Sequence, residues 1–489
     1  MNKKEAERKL GLFDAVMMGL GGAIGIEIFV LLNHATVIAG PTIVSALFLC
    51  GIINLLTMLS FSELGAAIPE VGGEYSYAKA AFGGFLAFLT GWLRWISNVF
   101  GAALAAIGFA VHVLFFIPLD VPLLVPLMAA IIIVILTFLS VRGIHQIGTV
   151  IVIAFLAVFI VFIVGGFLHG LEPKTLYPST IGEASNVFAA VAYTFIMFLG
   201  MRSIAAGGPK IRNPGKNIPR AILISVVILI VLYSGIAYVT ISVVPLEDIA
   251  VSSIPITLAA KKILGDTGAM ILTVAGIIAA LSSLSTAMMV QSSIVRGLSR
   301  DGYFPKFLLS THKRFKTPHV SIIFGSIFYI LFAITGVIEF VGYVAGFASI
   351  LGFAFVNLAV IRLRMKRPRM ERAFKVPLYP YTPIVGILVS LMLLIFIERS
   401  AFLLGSGFIV LGLVAYHLKM VGYQRIRIAF GGMSLGMGGF TALLAYIIKT
   451  GFVLPISVPP QLTDMFFYVL VFVSVIFIIA GILNITSKA

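Results

Sequence analysis

GLGGAIGIEIFV, Gly19–Val30, decides how this chain is read. Four of the seven residues from Gly19 to Gly25 are glycine, inside an apolar run where each would cost a continuous helix roughly 1 kcal/mol relative to alanine. A glutamate, Glu27, follows at once. In hydrocarbon a carboxylate is tolerated only when it is paired, protonated or facing a water-filled cavity, so an acid in such a place points to function. The stretch reads as a membrane helix interrupted near its middle, with an acid at the interruption.

The surrounding composition requires a membrane. Of 489 residues, 60% are hydrophobic and 11% charged, and the mean hydropathy is +1.14, far from soluble averages. Apolar runs long enough to cross a hydrocarbon core of roughly 30 Å begin near Phe13, Pro41, Gly84, Val121, Thr149, Ser185, Ala221, Thr267, Val320, Glu339, Pro383, Ala401, Ile428 and Asp464. This predicts an all-α integral membrane protein of about 14 transmembrane helices. The punctuation between the last four, at Arg399, Lys419–Arg427 and Lys449, is the weakest. The opening MNKKEAERKLG carries both charge signs and no cleavage-like site, so the first span is expected to stay in the protein, behind a cytoplasmic tail of residues 1–12.

With the N-terminus inside, 27 of the 34 Lys and Arg residues fall on the cytoplasmic side and 5 outside, while Arg94 and Arg202 lie within spans. That asymmetry follows the positive-inside rule and places both termini in the cytoplasm of a cell-membrane protein. The densest basic run, RLRMKRPRMERAFK from Arg362 to Lys375, reads as a topology-determining loop, with an anionic-lipid patch as the alternative. The basic residues are spread over loops with no nucleic-acid-binding module. Cys50 is the single cysteine, so no intrachain disulfide or thiolate metal cluster is expected. No Ser/His/Asp or metal-ligand constellation stands out, which argues against an enzyme and against a cofactor or metal.

A second interruption lies in the sixth span, FLGMRSIAAGGP from Phe198 to Pro209, with Gly200, Arg202, Gly207 and Gly208. Broken helices at matching positions in two five-helix halves point to a secondary transporter with its site at the bilayer midplane. Half-helix N-termini there offer unpaired N–H groups to an anion, and unwound carbonyls receive an ammonium or a cation. The competing reading is that the glycines only let helices pack closely.

GGAIGIEIF, Gly21–Phe29, resembles the Gly-x-x-Ile-Gly-x-Gly-Ile-Phe signature in the first helix of the amino acid-polyamine-organocation (APC) transporters. SELGAAIPEVGGEYSYAKAAFG (Ser62–Gly83), with GWL soon after, resembles their first cytoplasmic loop. IRNPGKNIPRAI (Ile211–Ile222), SSIVRGLSRDGYFP (Ser292–Pro305) and the segment Arg362–Leu388 are similar to three later family segments, in the right order, so the likeness spans about residues 10 to 420. It implies the five-plus-five inverted-repeat, leucine-transporter-like fold with helices 1 and 6 broken. The repeats would occupy 13–168 and 169–363, with four additional helices in 364–489.

The same resemblance implies alternating access around a central site for amino acids or related amines. Carried over by position, that site comprises Gly22, Ala23, Gly25, Ile26, Glu27, Phe195, Phe198, Gly200 and Arg202. The N–H groups around Gly25, Ile26 and Glu27 would receive a substrate carboxylate, and carbonyls near Phe195 and Phe198 its ammonium, with Phe198 an aromatic gate. Ser282, Ser283 and Ser285 lie where hydroxyls complete a sodium site in sodium-coupled members, although such hydroxyls often only bond the preceding turn. The two extra C-terminal spans favour the fourteen-helix cationic amino acid branch weakly.

Three departures stand against the family pattern. Glu27 replaces the last glycine of the signature, Arg202 follows Gly200-Met201 where relatives often carry an acid, and the fifth span TVIVIAFLAVFIVFIVGG lacks the lysine of proton-coupled relatives. Glu27 then has three readings that do not exclude one another. It caps the half-helix and pairs with Arg202; or it binds a substrate ammonium while Arg202 binds the carboxylate; or it is a protonatable coupling group. Arg94 is either a third member of this charge network or a snorkelling residue, and His112 a helix-end histidine. By function, a transporter of amino acids or small organic cations (polyamines included), coupled to Na+ or H+, stands ahead of a channel, which lacks a polar-lined span, and of a sensor, which lacks a soluble extension.

Overall fold

The computed structural model describes residues 10–486 apart from 69–71, 118–120, 122, 144–148, 172–175, 421–425 and 450–459, with Pro209 and some residues beyond 417 described by backbone alone. Residues 1–9 of the expected tail lie outside the described residues. The membrane helices are α1 (Leu12–Ala23), α2 (Glu27–Ala39), α3 (Ile43–Ala67), α5 (Gly84–Leu114), α6 (Leu124–Val141) and α7 (Thr149–His169), with a short helix α4 (Glu74–Ala81) between α3 and α5. Then come α8 (Ile181–Thr194), a 3-10 turn Phe195–Met201, α9 (Arg202–Ala206), α10 (Pro214–Val243), the short α11 (Leu246–Val251) and α12 (Pro255–Arg300). The chain ends in α13 (His319–Ala333), α14 (Ile338–Lys366), α15 (Tyr381–Ile395), α16 (Arg399–Met420), α17 (Ile426–Lys449) and α18 (Pro460–Thr486). Among the described residues nine helical runs are long and apolar enough to span a membrane, one of them holding both α2 and α3, and five shorter apolar helices, α1 among them, stand beside these; with α1 and α2 taken as one broken span and α3 as the next, the set amounts to about fourteen spans.

Thirteen of the expected span starts agree to within about four residues, and the exception has a physical reason. The seventh helix was expected near Ala221 but begins at Pro214, because two polar turns precede the apolar run and proline at a first helical position has a suitable φ. Hydropathy reports the membrane, not the helix. The eighth span was expected near Thr267. The helical run containing it starts at Pro255, but Gly265, in the left-handed region at φ 69°, separates a ten-residue lid from the membrane helix.

The two interruptions form for different reasons. In the first span the helix stops at Ala23, Ile24 leaves helical geometry at ψ 84°, and the next helix starts at Glu27. Gly19, Gly21 and Gly22 stay helical and serve close approach: a Cβ on Gly22 would stand 2.8 Å from the Gly200 carbonyl oxygen, and one on Gly21 2.9 Å from Val152. Break and close packing are therefore both present, divided among the four glycines. In the sixth span the chain tightens to 3-10 geometry from Phe195, three residues before the expected start, and carries Gly200 onto the first helix. A Cβ on Gly200 would overlap the Gly22 carbonyl carbon and the Ala23 nitrogen. The two broken helices thus cross backbone on backbone.

The rest of the bundle surrounds this crossing. Ile26 packs into the space left by Gly108 of α5, Gly19 meets Ile204 and Ser225, and Gly207 meets Met18. The end of α11, just before the lid, is held to α2 by the Asn33 amide, which donates to the Ser252 carbonyl. The C-terminal helices join through α16, whose Phe408 carbonyl accepts from Trp92 Nε1 at 2.7 Å.

Overpacking that side chains can absorb costs about 1–3 kcal/mol, and backbone has less room to yield. Gly200→Ala is therefore expected to cost more than about 3 kcal/mol, seen as loss of monodisperse protein in detergent. Gly101→Ala, whose Cβ would meet nothing within 4 Å, is expected to leave the thermal midpoint unchanged or slightly raised.

Candidate functional site

The half-helix that starts at Glu27 would ordinarily present unsatisfied N–H groups and the positive end of its dipole. Here the protein meets them itself. Gly25 N–H donates to the Ala23 carbonyl at 2.9 Å, and Ile26 N–H donates to Ser283 Oγ of α12 at 3.3 Å. The Glu27 carboxylate turns back towards its own N–H and the Ser283 hydroxyl. Oε2 and Ser283 Oγ both occupy the volume a Cβ on Gly25 would need, so the two oxygens are close neighbours. Oε2 is buried and accepts no hydrogen bond.

The expected pairing of Glu27 with Arg202 is not made. Arg202 Nη1 binds Glu74 Oε1 at 2.9 Å and its Nε donates to the Leu199 carbonyl at 3.1 Å. The reason lies in chain direction. From the crossing at Gly22 and Gly200, α2 runs one way, while α9 runs the other, towards the end of the bundle that carries α4 and the loop 301–318. Glu27 leaves on the first path and Arg202 on the second. Arg94 of α5 completes the cluster, its Nε 3.7 Å from the same Glu74 oxygen, so it is a member of a charge network rather than a snorkelling residue. The reading in which Arg202 takes a substrate carboxylate has lost its free guanidinium.

The other expected residues are placed as follows. Ala23 lies at the break, but its carbonyl accepts from Tyr233 OH of α10 at 2.7 Å, and the Met197 carbonyl faces the same hydroxyl at 3.4 Å. Phe198 is buried and packs edge-on against Tyr233, 5.3 Å between centroids, with Gly51 of α3 beside it. Phe195 packs on Phe353 of α14 at 5.1 Å. Of the three serines of α12, Ser283 is drawn to the break, Ser282 is buried, and Ser285 is half-buried. His112 lies two residues from the end of α5, yet it is fully buried. Its Nδ1 lies 2.8 Å from the Gly108 carbonyl and its ring against Phe29, 5.5 Å between centroids, and Gly276.

Two residues central to this arrangement escaped the sequence. Tyr233 sits in an apolar helix with nothing around it to mark a bridge between two unwound segments. Glu74 stood inside a quoted loop, and charge balance was the available signal: two arginines within spans require a buried acid. Because both arginines depend on it, Glu74→Gln is expected to destabilise by about 3–5 kcal/mol, the cost of stranding buried charge. Arg202→Gln, which leaves Glu74 with Arg94, is expected to cost less. The double change should cost less than the sum, a coupling measurable by chemical denaturation of the four proteins.

Residues 10–418 match the family model of amino acid permeases. The branched-chain amino acid permease BcaP of Bacillus subtilis (strain 168) is 26% identical over 446 residues, covering 87% of this chain and 96% of that protein. The methylthioribose transporter of the same organism is 27% identical, covering 85% and 94%, and the cystine/glutamate transporter of Homo sapiens 27% identical, covering 87% and 88%. Among solved structures, the Eremococcus coleocola manganese transporter in complex with an aromatic bis-isothiourea substituted compound superposes with a TM-score of 0.50 at 13% identity, over 97% of this chain and 95% of that one. That likeness supports the leucine-transporter-like fold and nothing finer. The chain is a multi-pass membrane protein that belongs to the amino acid permease family of the APC superfamily.

Proposed function

We propose that the protein is a secondary active transporter that moves amino acids or related amines across the cell membrane by alternating access. The observation that carries this reading is the crossing at Gly22 and Gly200, which sets the break at Ile24–Ile26, the Glu27 carboxylate and Ser283 together in the middle of the bundle. Broken helices meeting at mid-depth are the construction by which transporters of this kind hold small polar cargo. Gly25, Ile26 and Glu27 from the first broken helix and Ser283 from α12 form the centre of the proposed site. Ala23, Phe195, Phe198 and Gly200 form its supporting wall. Arg202 is reassigned to the charge cluster with Glu74 and Arg94. In this reading residues 13–168 and 169–363 are the inverted repeats that rock against each other, and 364–489 pack outside them.

A second reading, transport of small organic cations or polyamines, is favoured by one particular observation: a carboxylate, not a glycine, stands at the anion-binding end of α2. For coupling, Ser282, Ser283 and Ser285 of α12 offer hydroxyls to sodium, and the alternative is exchange with no ion.

The orientation follows from charge, with the end carrying α4 and the 301–318 loop facing the cytoplasm together with both termini. Single cysteines at Lys313 and Asp266 should label from the inside and the outside respectively, and labelling of both from one side would refute the topology. Purified protein in liposomes, assayed by counterflow with a panel of amino acids and amines, should show saturable exchange of at least one. An imposed sodium gradient should either drive net uptake or leave exchange unaltered. A strict requirement for a proton gradient alone would count against both coupling modes.

A further inference from the structure

The N–H groups that lead into α2 are engaged by the protein, and the Glu27 carboxylate turns back over the next. Gly25 N–H goes to Ala23, Ile26 N–H to Ser283 and Glu27 N–H to its own side chain. The carboxylate sits in the space that the absent Cβ of Gly25 leaves, at the positive end of a thirteen-residue helix. Its Oε2 is buried, accepts no hydrogen bond, and makes no ion pair with any described residue. Arg202 and Arg94, the two basic residues within spans, both turn to Glu74 instead. A buried carboxylate oxygen in this position calls for a cation.

We propose that Glu27 is a resident carboxylate: it stands where the carboxylate of an amino acid would bind, and its free oxygen receives the ammonium of a primary amine that lacks an α-carboxylate. A zwitterionic amino acid would bring a second carboxylate against Glu27 where the N–H groups of Gly25 and Ile26 are already taken, and like charges at such close range repel strongly in a low-dielectric site. The amine that remains when an amino acid loses its carboxylate has the complementary charge, and its side-chain tail is left to the apolar wall. This inference rests on the proposed transport reading and narrows its cargo to amines.

The test uses pairs that differ only by the carboxylate: isopentylamine with leucine, phenethylamine with phenylalanine, and cadaverine with lysine. Binding to the purified full-length protein is measured by thermal shift and by counterflow in liposomes. For at least one pair, the wild-type protein should bind the amine at least tenfold more tightly than its amino acid. Glu27→Gln, of nearly the same volume, should weaken that amine at least tenfold. Glu27→Gly should lose the amine and gain the amino acid, because the N–H groups of positions 27 and 28 are then open to an external carboxylate. Wild-type protein that prefers the amino acids, or a Glu27→Gln variant that binds amines as the wild type does, would overturn the resident-carboxylate assignment and leave the transport reading standing. Folded wild-type protein that binds and exchanges no member of any pair would overturn both.

Discussion

The backbone contact between Gly22 and Gly200 governs the rest of the structure. Two helices cannot come this close if either carries a Cβ at the crossing, and here the Gly200 Cα lies against the peptide joining Gly22 to Ala23. Continuous helices with side chains all round keep their axes some 8–10 Å apart. Once the axes are drawn together, both chains must depart from α geometry nearby: the first at Ile24–Ile26, the sixth in the 3-10 turn from Phe195 to Met201. The freed carbonyls of Ala23 and Met197 then need donors in a place where water is scarce. Tyr233 of α10 supplies one hydroxyl for both, which ties a third helix to the pivot.

Charge is distributed around the pivot so that the two ends of the bundle differ. Towards the basic end, α4 acts as a hub: Glu74 gathers Arg202 of α9 and Arg94 of α5. In the same helix the Tyr75 hydroxyl and Lys79 both bind Asp301 after α12, Lys79 at 2.7 Å. The Lys79 pair is half-exposed and adds little, but burial and the Asp301 carboxylate push the Tyr75 phenol well up, so it stays a donor. The small helix thereby links the arm that crosses at Gly200 to α5 and to the end of α12. A movement of α9 relative to α5 must break or carry the Glu74 contacts, which makes them a natural place to set the resting geometry of that end.

Fold and site were legible in the sequence to different degrees. Span number and order followed from hydropathy, because hydrocarbon imposes one requirement on every spanning residue. Glycine density pointed to both interruptions, although in the first span Gly19, Gly21 and Gly22 serve close packing and only Gly25 lies in the break itself. Pairing between side chains was less accessible. The charges of Glu27 and Arg202 invite a pair, yet the direction in which each chain leaves the crossing separates them. Glu74 lies in a short helix whose inward face no hydropathy window resolves. His112 is comparable: sequence places it near a helix end, and only the bare surface of Gly276 explains how an imidazole is buried there.

Gly25 and Glu27 are best understood as one unit. Gly25 is not in the left-handed region that would demand glycine, unlike Gly73, Gly83 and Gly265, so its backbone alone does not explain it. What excludes a side chain is volume, because Glu27 Oε2 and Ser283 Oγ fill the space that a Cβ would take. The acid can fold back onto its own helix start because residue 25 is bare, and in doing so it exploits the same dipole and N–H groups that make such a break an anion site. A single change from glycine to glutamate at position 27 therefore alters more than the charge of the pocket. In the assignment proposed above, it moves one of the ligand's expected functional groups into the protein, and the complementary cargo is the remainder of that ligand.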